Sequence, residues 1–178
     1  IVESEGRAQV IVSATKRVRG YDLATGGQLW ECAGLTDNVV ASPVHWRGLL
    51  IAGNSYYSQA MVAIRLAGAK GDISNTTNVA WRLNRLTPYV SSPLLYDDTL
   101  YHIRHNQNIL VQLNPATGEF RGEPLRLDGI RDFIGLFDRI GRDRCEVLFQ
   151  IPRATVRRIT QRTHDGEQAG HSAFWIMD

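Results

Sequence analysis

The feature that most constrains the fold of this chain is a pair of short sequence motifs, here called words, each of which occurs twice. Residues 21–30 read Tyr-Asp-Leu-Ala-Thr-Gly-Gly-Gln-Leu-Trp, and residues 113–119 repeat the first part as Leu-Asn-Pro-Ala-Thr-Gly-Glu. A second word, Val-Ala-Ser-Pro-Val at residues 40–44, returns as Val-Ser-Ser-Pro-Leu at residues 90–94. β-rich units that repeat with a period of roughly 40–50 residues are typical of the blades of a β-propeller.

Each repeat predicts four short strands joined by turns. Residues 9–14 predict one strand, residues 17–22, with alternating side chains, predict a second, and a further strand follows at residues 28–32. Later units predict strands that start at residues 40 and 90, a strand at residues 109–113, and a polar loop at residues 67–78. Asp22 begins the turn before that strand, because its carboxylate can accept hydrogen bonds from the loop backbone, and Gly26 or Gly27 can supply a positive φ. The sequence therefore predicts an all-β fold, an incomplete β-propeller of about three four-stranded antiparallel blades.

The number of repeats is small for a closed propeller. Propellers typically contain 4–8 blades, whereas the repeats of this chain of 178 residues amount to about three. We therefore expect residues 1–130 to form part of a propeller, as a fragment of a larger protein or a truncated gene product, unless copies of the chain associate. The chain begins Ile1-Val2-Glu3 without a basic or apolar leader segment, so no signal peptide is visible.

The repeat pattern stops before residues 131–178. A fourth Ser-Pro strand is due shortly after Gly129, and the residues that follow do not contain one. Three explanations stay open for this segment: a divergent blade, a separate or truncated tail, or a stretch translated from a shifted reading frame. Genomic sequence around the Gly129 codon distinguishes the third explanation from the other two.

Charge and composition argue against several classes of partner. The net charge is +2, from 20 basic and 18 acidic residues, which argues against a dedicated nucleic-acid surface. No stretch approaches the roughly 18 consecutive apolar residues of a membrane span. Cys32 and Cys145 lie far apart in sequence; they either pair in an oxidising compartment or stay buried as thiols.

Taken together, the two recurring words resemble the tryptophan-docking repeat of the pyrroloquinoline-quinone-like, or quinoprotein-type, β-propellers. The similarity is greatest to uncharacterised bacterial members of that family. It extends over residues 9–128 and includes the Gly-Asp-Ile loop at residues 71–73. It does not include residues 131–178.

The resemblance implies structural roles for the repeated residues. In that family the Trp of each blade packs between neighbouring blades, so Trp30 and Trp81 are expected to be inter-blade wedges. The turns that contain Thr25 and Gly26, and Thr117 and Gly118, are then their docking partners. Asp22 belongs to the first of these turns. A large ring between sheets buries much apolar area, and its N–H can bond a turn carbonyl.

The resemblance also implies a choice between two functions. Quinoprotein dehydrogenases of this fold hold pyrroloquinoline quinone in the central channel with Ca²⁺ and an Asp base, and commonly have two adjacent cysteines. This chain has no such cysteine pair and no Asp beyond turn and loop positions. We therefore expect no cofactor and no catalytic residues, and a non-catalytic binding or scaffold module. The alternative is part of a pyrroloquinoline-quinone-dependent dehydrogenase, and a third hypothesis is a product without a function of its own.

Partners and compartment follow from the same interpretation. Propeller blades offer rims and edge strands on which a protein partner can add a strand, and unpaired edges also invite aggregation. We expect no nucleic-acid partner. By resemblance, the intact parent protein is expected in the periplasm or outside the cell.

Two histidines have the spacing of some zinc sites. His102 and His105 read His-x-x-His, but on a strand residues i and i+3 point to opposite faces and do not converge on one metal ion. We therefore expect solvated or turn histidines and no metal site. His45, beside Trp46, is expected to be a surface residue of a strand.

Overall fold

The computed structural model describes residues 1–104 and 107–127, together with the backbone of residues 136–139 and 145–148. Its strands, in chain order, are β1 Val2–Ser4, β2 Arg7–Ala14, β3 Arg17–Asp22, β4 Gln28–Ala33, β5 Val44–Trp46, β6 Leu49–Ser55, β7 Gln59–Arg65, β8 Gly71–Asp72, β9 Val79–Leu83, β10 Leu94–Tyr96, β11 Thr99–Arg104, β12 Ile109–Leu113, β13 Leu125–Arg126, β14 Leu136–Arg139 and β15 Cys145–Leu148. The described residues contain no helix, which confirms the all-β prediction for this part of the chain.

Strands that are close in sequence form three mainly antiparallel sheets. The first sheet has the order β1-β2-β3-β4-β8, the second β5-β6-β7-β9 and the third β10-β11-β12-β13, while β14 pairs with β15. Within the described ranges none of these sheets closes on itself. The grouping of strands by sequence follows from short hairpin connections, which favour antiparallel neighbours.

The strand limits differ from the prediction at the two Ser-Pro words. The sequence pattern suggested strands that start at residues 40 and 90, whereas β5 starts at Val44 and β10 at Leu94. Each strand thus begins directly after a proline, Pro43 or Pro93, because proline has no N–H to donate to a neighbouring strand. The short strands β1 and β8 were not predicted, and β8 lies in what the sequence indicated to be a polar loop.

Two hydrophobic cores lie between the sheets. The core between the first and second sheets, here called the first interface, is formed by Val18, Trp30, Cys32, Leu35, Leu50, Ala52, Val62, Ile64, Leu66 and Ile73. The core between the second and third sheets, the second interface, is formed by Ile51, Met61, Ala63, Leu100, Val111 and Leu113. The three sheets are therefore stacked face to face.

The central β-hairpin of the second sheet supplies side chains to both interfaces. Leu50 and Ala52 of β6 face the first interface, and Ile51 between them faces the second. Residues 50–55 are all buried. Because successive side chains of a strand point to opposite faces, a strand buried on both faces loses the apolar–polar alternation and reads as a continuous apolar run.

The loop after β7 joins the first sheet. Its strand β8 pairs in parallel with β4, so that Gly71 lies opposite Trp30. The backbone N–H of Ile73 then donates to the carbonyl of Glu31 at 2.9 Å. The loop that connects β7 and β9 of the second sheet is thus held on the first sheet by main-chain hydrogen bonds.

Some predictions concern residues outside this description. They concern the domain limit at residue 130, the nature of residues 131–178 and the side chain of Cys145. Of residues 131–178, only the backbone pairing of β14 with β15 is described. Across the described part of the chain, no helix has the length and apolar character needed to cross a lipid bilayer.

Candidate functional site

The turn between β3 and β4 is organised by the Asp22 carboxylate. Its Oδ1 accepts hydrogen bonds from the backbone N–H groups of Ala24 and Thr25, both at 2.9 Å. The N–H of Gly26 donates to the Asp22 carbonyl at 2.9 Å, and Gly26 has a φ of 70°. The Thr25 hydroxyl accepts from the N–H of Gly27 at 3.2 Å. Hydrogen bonds from the Thr25 backbone, more than any other contact, lower the pKa of the Asp22 carboxyl.

The turn between β12 and β13 has similar hydrogen bonds, although the N–H of Thr117 donates to the main-chain carbonyl of Asn114 at 3.3 Å and not to its side chain. The Oδ1 of Asn114 accepts from the N–H of Ala116 at 3.0 Å, and the carbonyl of Asn114 accepts from Gly118 at 2.8 Å. Gly118 has a φ of 74°. The Thr117 hydroxyl accepts from the N–H of Glu119 at 3.3 Å. The repeated sequence word therefore folds into one repeated turn, with Asn replacing Asp as the acceptor.

Trp81 of the second sheet lies on the turn of the third sheet. Its indole N–H donates to the carbonyl of Pro115 at 2.9 Å. The ring covers Gly118 so closely that a Cβ atom there would be 2.7 Å from Cδ2 of the indole. The glycine is therefore needed both for its backbone conformation and for the space above it.

Trp30 is placed differently. It is completely buried in the first interface, its indole N–H donates to Oε1 of Gln9 at 2.8 Å, and its ring lies against Gly20 on the neighbouring strand. The turn that contains Thr25 and Gly26 is exposed, and no heavy atom lies within 4 Å of a Cβ built on Gly26. The ring of Trp30 thus lies between the first and second sheets, and its N–H bonds a side chain of its own sheet instead of a turn carbonyl.

A cluster of charged side chains joins β8 to the first sheet. Nη1 of Arg17 lies 3.1 Å from Oδ2 of Asp72 and 3.0 Å from Oε1 of Glu31. Arg19 pairs with Glu31 at 3.1 Å. Hydrogen bonds from the Ser74 side chain and backbone, then from Arg17, lower the pKa of Asp72 to about 2. Sequence reasoning missed this cluster, although the Gly-Asp-Ile loop pointed to its Asp.

Arg82 adds a second connection between the same two sheets. Its guanidinium donates to the carbonyl of Ala33 and to that of Ser74, both at 2.9 Å. It lies where the side chain of residue 34 would be, so only a glycine fits there, and Gly34 has a φ of 127°. One planar group on β9 of the second sheet thus holds a carbonyl of β4 in the first sheet and a carbonyl of the loop that follows β8.

An open depression of about 420 Å³ lies between the β5–β6 and β10–β11 turns. Trp46 Nε1 donates to Oδ1 of Asp98 at 2.9 Å, and Arg47 Nη2 lies 2.8 Å from Oδ2. The Arg47 guanidinium also lies 5.1 Å from the centroid of the Trp46 ring. The remaining lining residues are Leu95, Tyr96 and Asp97. The polar groups of Trp46, Arg47 and Asp98 already bond to one another, so these contacts link the second and third sheets.

Aromatic side chains are exposed at the β6–β7 turn. Tyr57 is 90% exposed, and its ring makes an edge contact with that of Tyr56 at 4.3 Å between centroids. Tyr56 in turn stacks on Tyr89 at 5.4 Å. Sequence reasoning did not select these residues, because tyrosines in a polar loop resemble ordinary strand-end residues.

The histidines differ from the expectation in one respect. His45 is exposed, as expected for a surface residue of β5. The interpretation of His102 as solvated was wrong, because it is only 2% exposed and its Nε2 lies 2.6 Å from the carbonyl of Leu86. His105 lies outside the described residues. Tertiary packing of β11 against the second sheet, which no local pattern indicates, buries the ring.

Side chains that commonly bind metal ions do not cluster among the residues that the structure describes. These residues contain no set of three or more His, Cys, Asp or Glu side chains that could hold a metal ion. Cys32 is a buried free thiol, and burial raises the pKa of its thiol, which disfavours the reactive thiolate.

Comparison with known protein families finds no match, and comparison with curated proteins finds none either. The comparisons identify no family. The arrangement of sheets and turns is therefore the evidence on which a function must be argued.

Proposed function

We propose that this chain is a non-catalytic binding or scaffold module, formed by about three consecutive blades of a larger quinoprotein-like β-propeller. The single observation that most supports the proposal is the seat of Trp81 on the turn of the next sheet, with its N–H on Pro115 and its ring on Gly118. An indole that packs on the turn of the next unit suits a repeated blade, because each blade must bury its face against the next.

The turn that contains Asp22 and Gly26 supports a second part of the proposal. It shares with the turn that receives Trp81 the hydrogen bond from its glycine N–H to the carbonyl of Asp22 or Asn114, and Gly26 has a similar positive φ. We infer that it accepts an indole from a neighbouring blade, contributed by the parent polypeptide or by another copy. Leu23 beside it is 47% exposed, which leaves apolar surface for such a contact.

The module is proposed to bind a protein partner through its rims or edge strands. The exposed ring of Tyr57, with the adjoining rings of Tyr56 and Tyr89, supplies rigid amphipathic surface of the kind that is common at protein interfaces. By the family resemblance, we place the parent protein in the periplasm or outside the cell.

The indole-accepting turn can be tested with a peptide. A synthetic peptide of residues 76–86 presents Trp81 in its native context, and the same peptide with Trp81→Ala is the control. We expect the first peptide to produce saturable chemical-shift changes at residues 22–27 of the ¹⁵N-labelled full chain, even at millimolar affinity. Gly26→Asn, which tolerates a positive φ but fills the space above the turn, should abolish them. Equal shifts with both peptides would contradict the proposal.

The non-catalytic assignment predicts that the chain does not bind pyrroloquinoline quinone. Size-exclusion chromatography with light scattering, before and after addition of the quinone and Ca²⁺, measures both quinone binding and the mass of the protein. A species of defined mass without quinone absorbance is the expected result. Quinone absorbance that co-elutes with the protein would overturn the non-catalytic assignment and favour a quinone-dependent dehydrogenase. Aggregates of undefined mass would instead favour a chain that is not functional by itself.

A further inference from the structure

His102 lies inside the second interface. It is on β11, directly opposite Val111 of β12, whose side chain belongs to this core. The ring is 2% exposed. A histidine enclosed between two sheets differs chemically from the apolar residues around it, because it can acquire a proton.

The hydrogen bonding of the ring determines its tautomer. Nε2 lies 2.6 Å from the carbonyl oxygen of Leu86. Because a carbonyl only accepts, Nε2 carries the hydrogen, and Nδ1 is left with a lone pair. Nδ1 is buried and has no hydrogen-bond partner among the described residues. The interface is therefore compatible with the neutral ring and offers nothing to a second N–H.

The segment that holds His102 also connects the second sheet to the third. Leu86 has a φ of 54°, and the next residue, Thr87, donates its hydroxyl to the carbonyl of Asn54 at 2.8 Å. The hydroxyl of Ser91 donates to the carbonyl of Ile103 at 3.2 Å. Residues 86–92, here called the connector, are thus bonded to β6 on one side and to β11 on the other.

No described charge compensates a proton on this ring. The core residues of β6, β7 and β12 are Ile51, Met61, Ala63, Val111 and Leu113. Ser55, a buried polar residue of β6, is uncharged, and its hydroxyl donates to the carbonyl of Thr87 at 3.2 Å. The charged groups closest along the adjoining segments bond elsewhere: the Arg85 guanidinium lies 4.5 Å from the Phe120 ring centroid, and Arg104 bonds to Gln107 at 2.6 Å. Both are cations, which disfavour rather than stabilise an imidazolium.

We propose that the second interface is an acid-sensitive contact, which opens when Nδ1 of His102 is protonated while the first interface stays closed. The imidazolium places a second N–H among apolar side chains, and the ring must then leave the interface to hydrate that group. Release of the ring loosens the connector and separates the third sheet from the second. The described part of the first interface contains no histidine in its core.

The sign of the pH dependence follows from linkage. Burial lowers the pKa of His102 from 6.5 to about 4, against a smaller opposite effect of the Leu86 hydrogen bond. The closed interface is therefore favoured fully above pH 6.5 and loses its advantage as the pH falls from 6.5 towards 4. Between pH 7 and pH 5, the ratio of closed to open molecules should fall about twentyfold.

Fluorine NMR of the full chain labelled with 5-fluorotryptophan tests the proposal. Trp81 packs against the second interface and Trp30 lies in the first, so that one spectrum reports on both. On acidification from pH 7.5 to pH 4.5, we expect the Trp81 resonance to change and the Trp30 resonance to stay. Substitution of each Trp by Phe assigns the resonances.

Two variants identify the responsible proton. His102→Gln keeps an N–H for the Leu86 carbonyl but does not titrate, so its Trp81 resonance should be independent of pH in this range. His45→Gln removes an exposed histidine and should behave as the unmodified chain does. Equal pH profiles for the unmodified chain and His102→Gln would overturn the proposal, and so would simultaneous changes of Trp30 and Trp81, which indicate global unfolding.

If His102→Gln does not fold, the imidazole resonances of the unmodified chain test the proposal instead. Long-range ¹H–¹⁵N spectra report the protonation of each ring directly. The proposal requires that His102 stays neutral near pH 6 and becomes charged only as the Trp81 resonance changes. A His102 ring that titrates near pH 6.5 with no change at Trp81 would refute it.

Discussion

The indole of Trp81 covers Gly118, so that a Cβ atom on this glycine would be 2.7 Å from Cδ2 of the ring. Gly26 occupies the same position in the equivalent turn of the first sheet, with a φ of 70° against 74° for Gly118. No heavy atom lies within 4 Å of a Cβ built on Gly26. The chain therefore contains the same type of turn twice, once with an indole packed on its glycine and once without. Variants of the second turn can serve as controls for variants of the first.

Alanine substitution of the two glycines should separate backbone strain from docking. Both variants lose the positive-φ freedom of glycine, at about 1 kcal/mol each. Gly118→Ala must also displace the Trp81 ring, and overpacking of this kind costs about 1–3 kcal/mol more. Urea unfolding measures the difference in free energy. Equal losses in the two variants would mean that the indole does not depend on the turn.

The buried hydrogen bond of Trp30 should be as important as its ring. Trp30→Ala is expected to cost about 3–5 kcal/mol, as other aromatic truncations in cores do. Gln9→Ala keeps the ring but leaves its N–H unpartnered in the first interface, which should cost about 1–3 kcal/mol. Gln28→Ala, at an exposed position of the same sheet, is the control and should have little effect. A Gln9→Ala variant as stable as this control would contradict the assigned bond.

Arg82 should not be replaceable by lysine. From β9 of the second sheet, its guanidinium donates to the carbonyl of Ala33 in the first sheet and to that of Ser74 in the adjoining loop, and an ammonium group cannot reproduce that planar geometry. We expect Arg82→Lys to lower the free energy of unfolding by about 1–2 kcal/mol, from the usual contribution of hydrogen bonds to charged groups. Arg65→Lys is a matched control, because Arg65 bonds one carbonyl, that of Thr77. Equal effects of the two substitutions would refute the two-sheet role.

Asp72 should contribute to stability only in its charged form. Hydrogen bonds from Ser74 and then Arg17 lower the pKa of its carboxyl from 3.8 to about 2. A folded-state pKa below the unfolded value stabilises the fold above pH 3.8, and the contribution is lost as the pH falls towards 2. Asp72→Asn should therefore reduce stability at neutral pH and make no difference near pH 2, as followed by urea unfolding at each pH. Asp97→Asn, at an exposed turn, is the control; an Asp72→Asn effect that persists at pH 2 would be inconsistent with this role.

Much of the local structure could be predicted from the sequence because it depends on neighbouring residues. The turn at Asp22 and the positive φ of Gly26 follow from residue types within six positions. Strands with clear periodicity, such as 17–22 and 109–113, were located correctly. The early start predicted for the Ser-Pro strands was wrong, because the missing N–H of proline outweighs the β-propensity of the residues before it.

The features that were missed depend on residues distant in sequence. Pairing of Gly71 with Trp30 gives β8 its strand conformation, and no pattern within the loop indicates it. The arrangement of Arg17, Glu31 and Asp72 likewise needs the loop after β7 to add β8 to the first sheet. His102 was expected to be solvated because His-x-x-His on a strand does not converge on a metal ion, whereas packing against the second sheet buries the ring.

The sequence by itself determined the class of structure and the repeated turn. Strands and turns form through interactions over a few residues. They depend on hydrophobic alternation, on prolines and glycines, and on Asp or Asn side chains that accept hydrogen bonds, all of which are visible in the sequence. Only the tertiary structure decided where each indole lies. Trp30 and Trp81 both lie within the fourth strand of the repeated unit, β4 and β9, yet one bonds Gln9 on its own sheet and the other bonds Pro115 on the next. The physical reason is that a large ring settles where stacking of sheets leaves space and an acceptor for its N–H, and that space is created by residues far away in the chain.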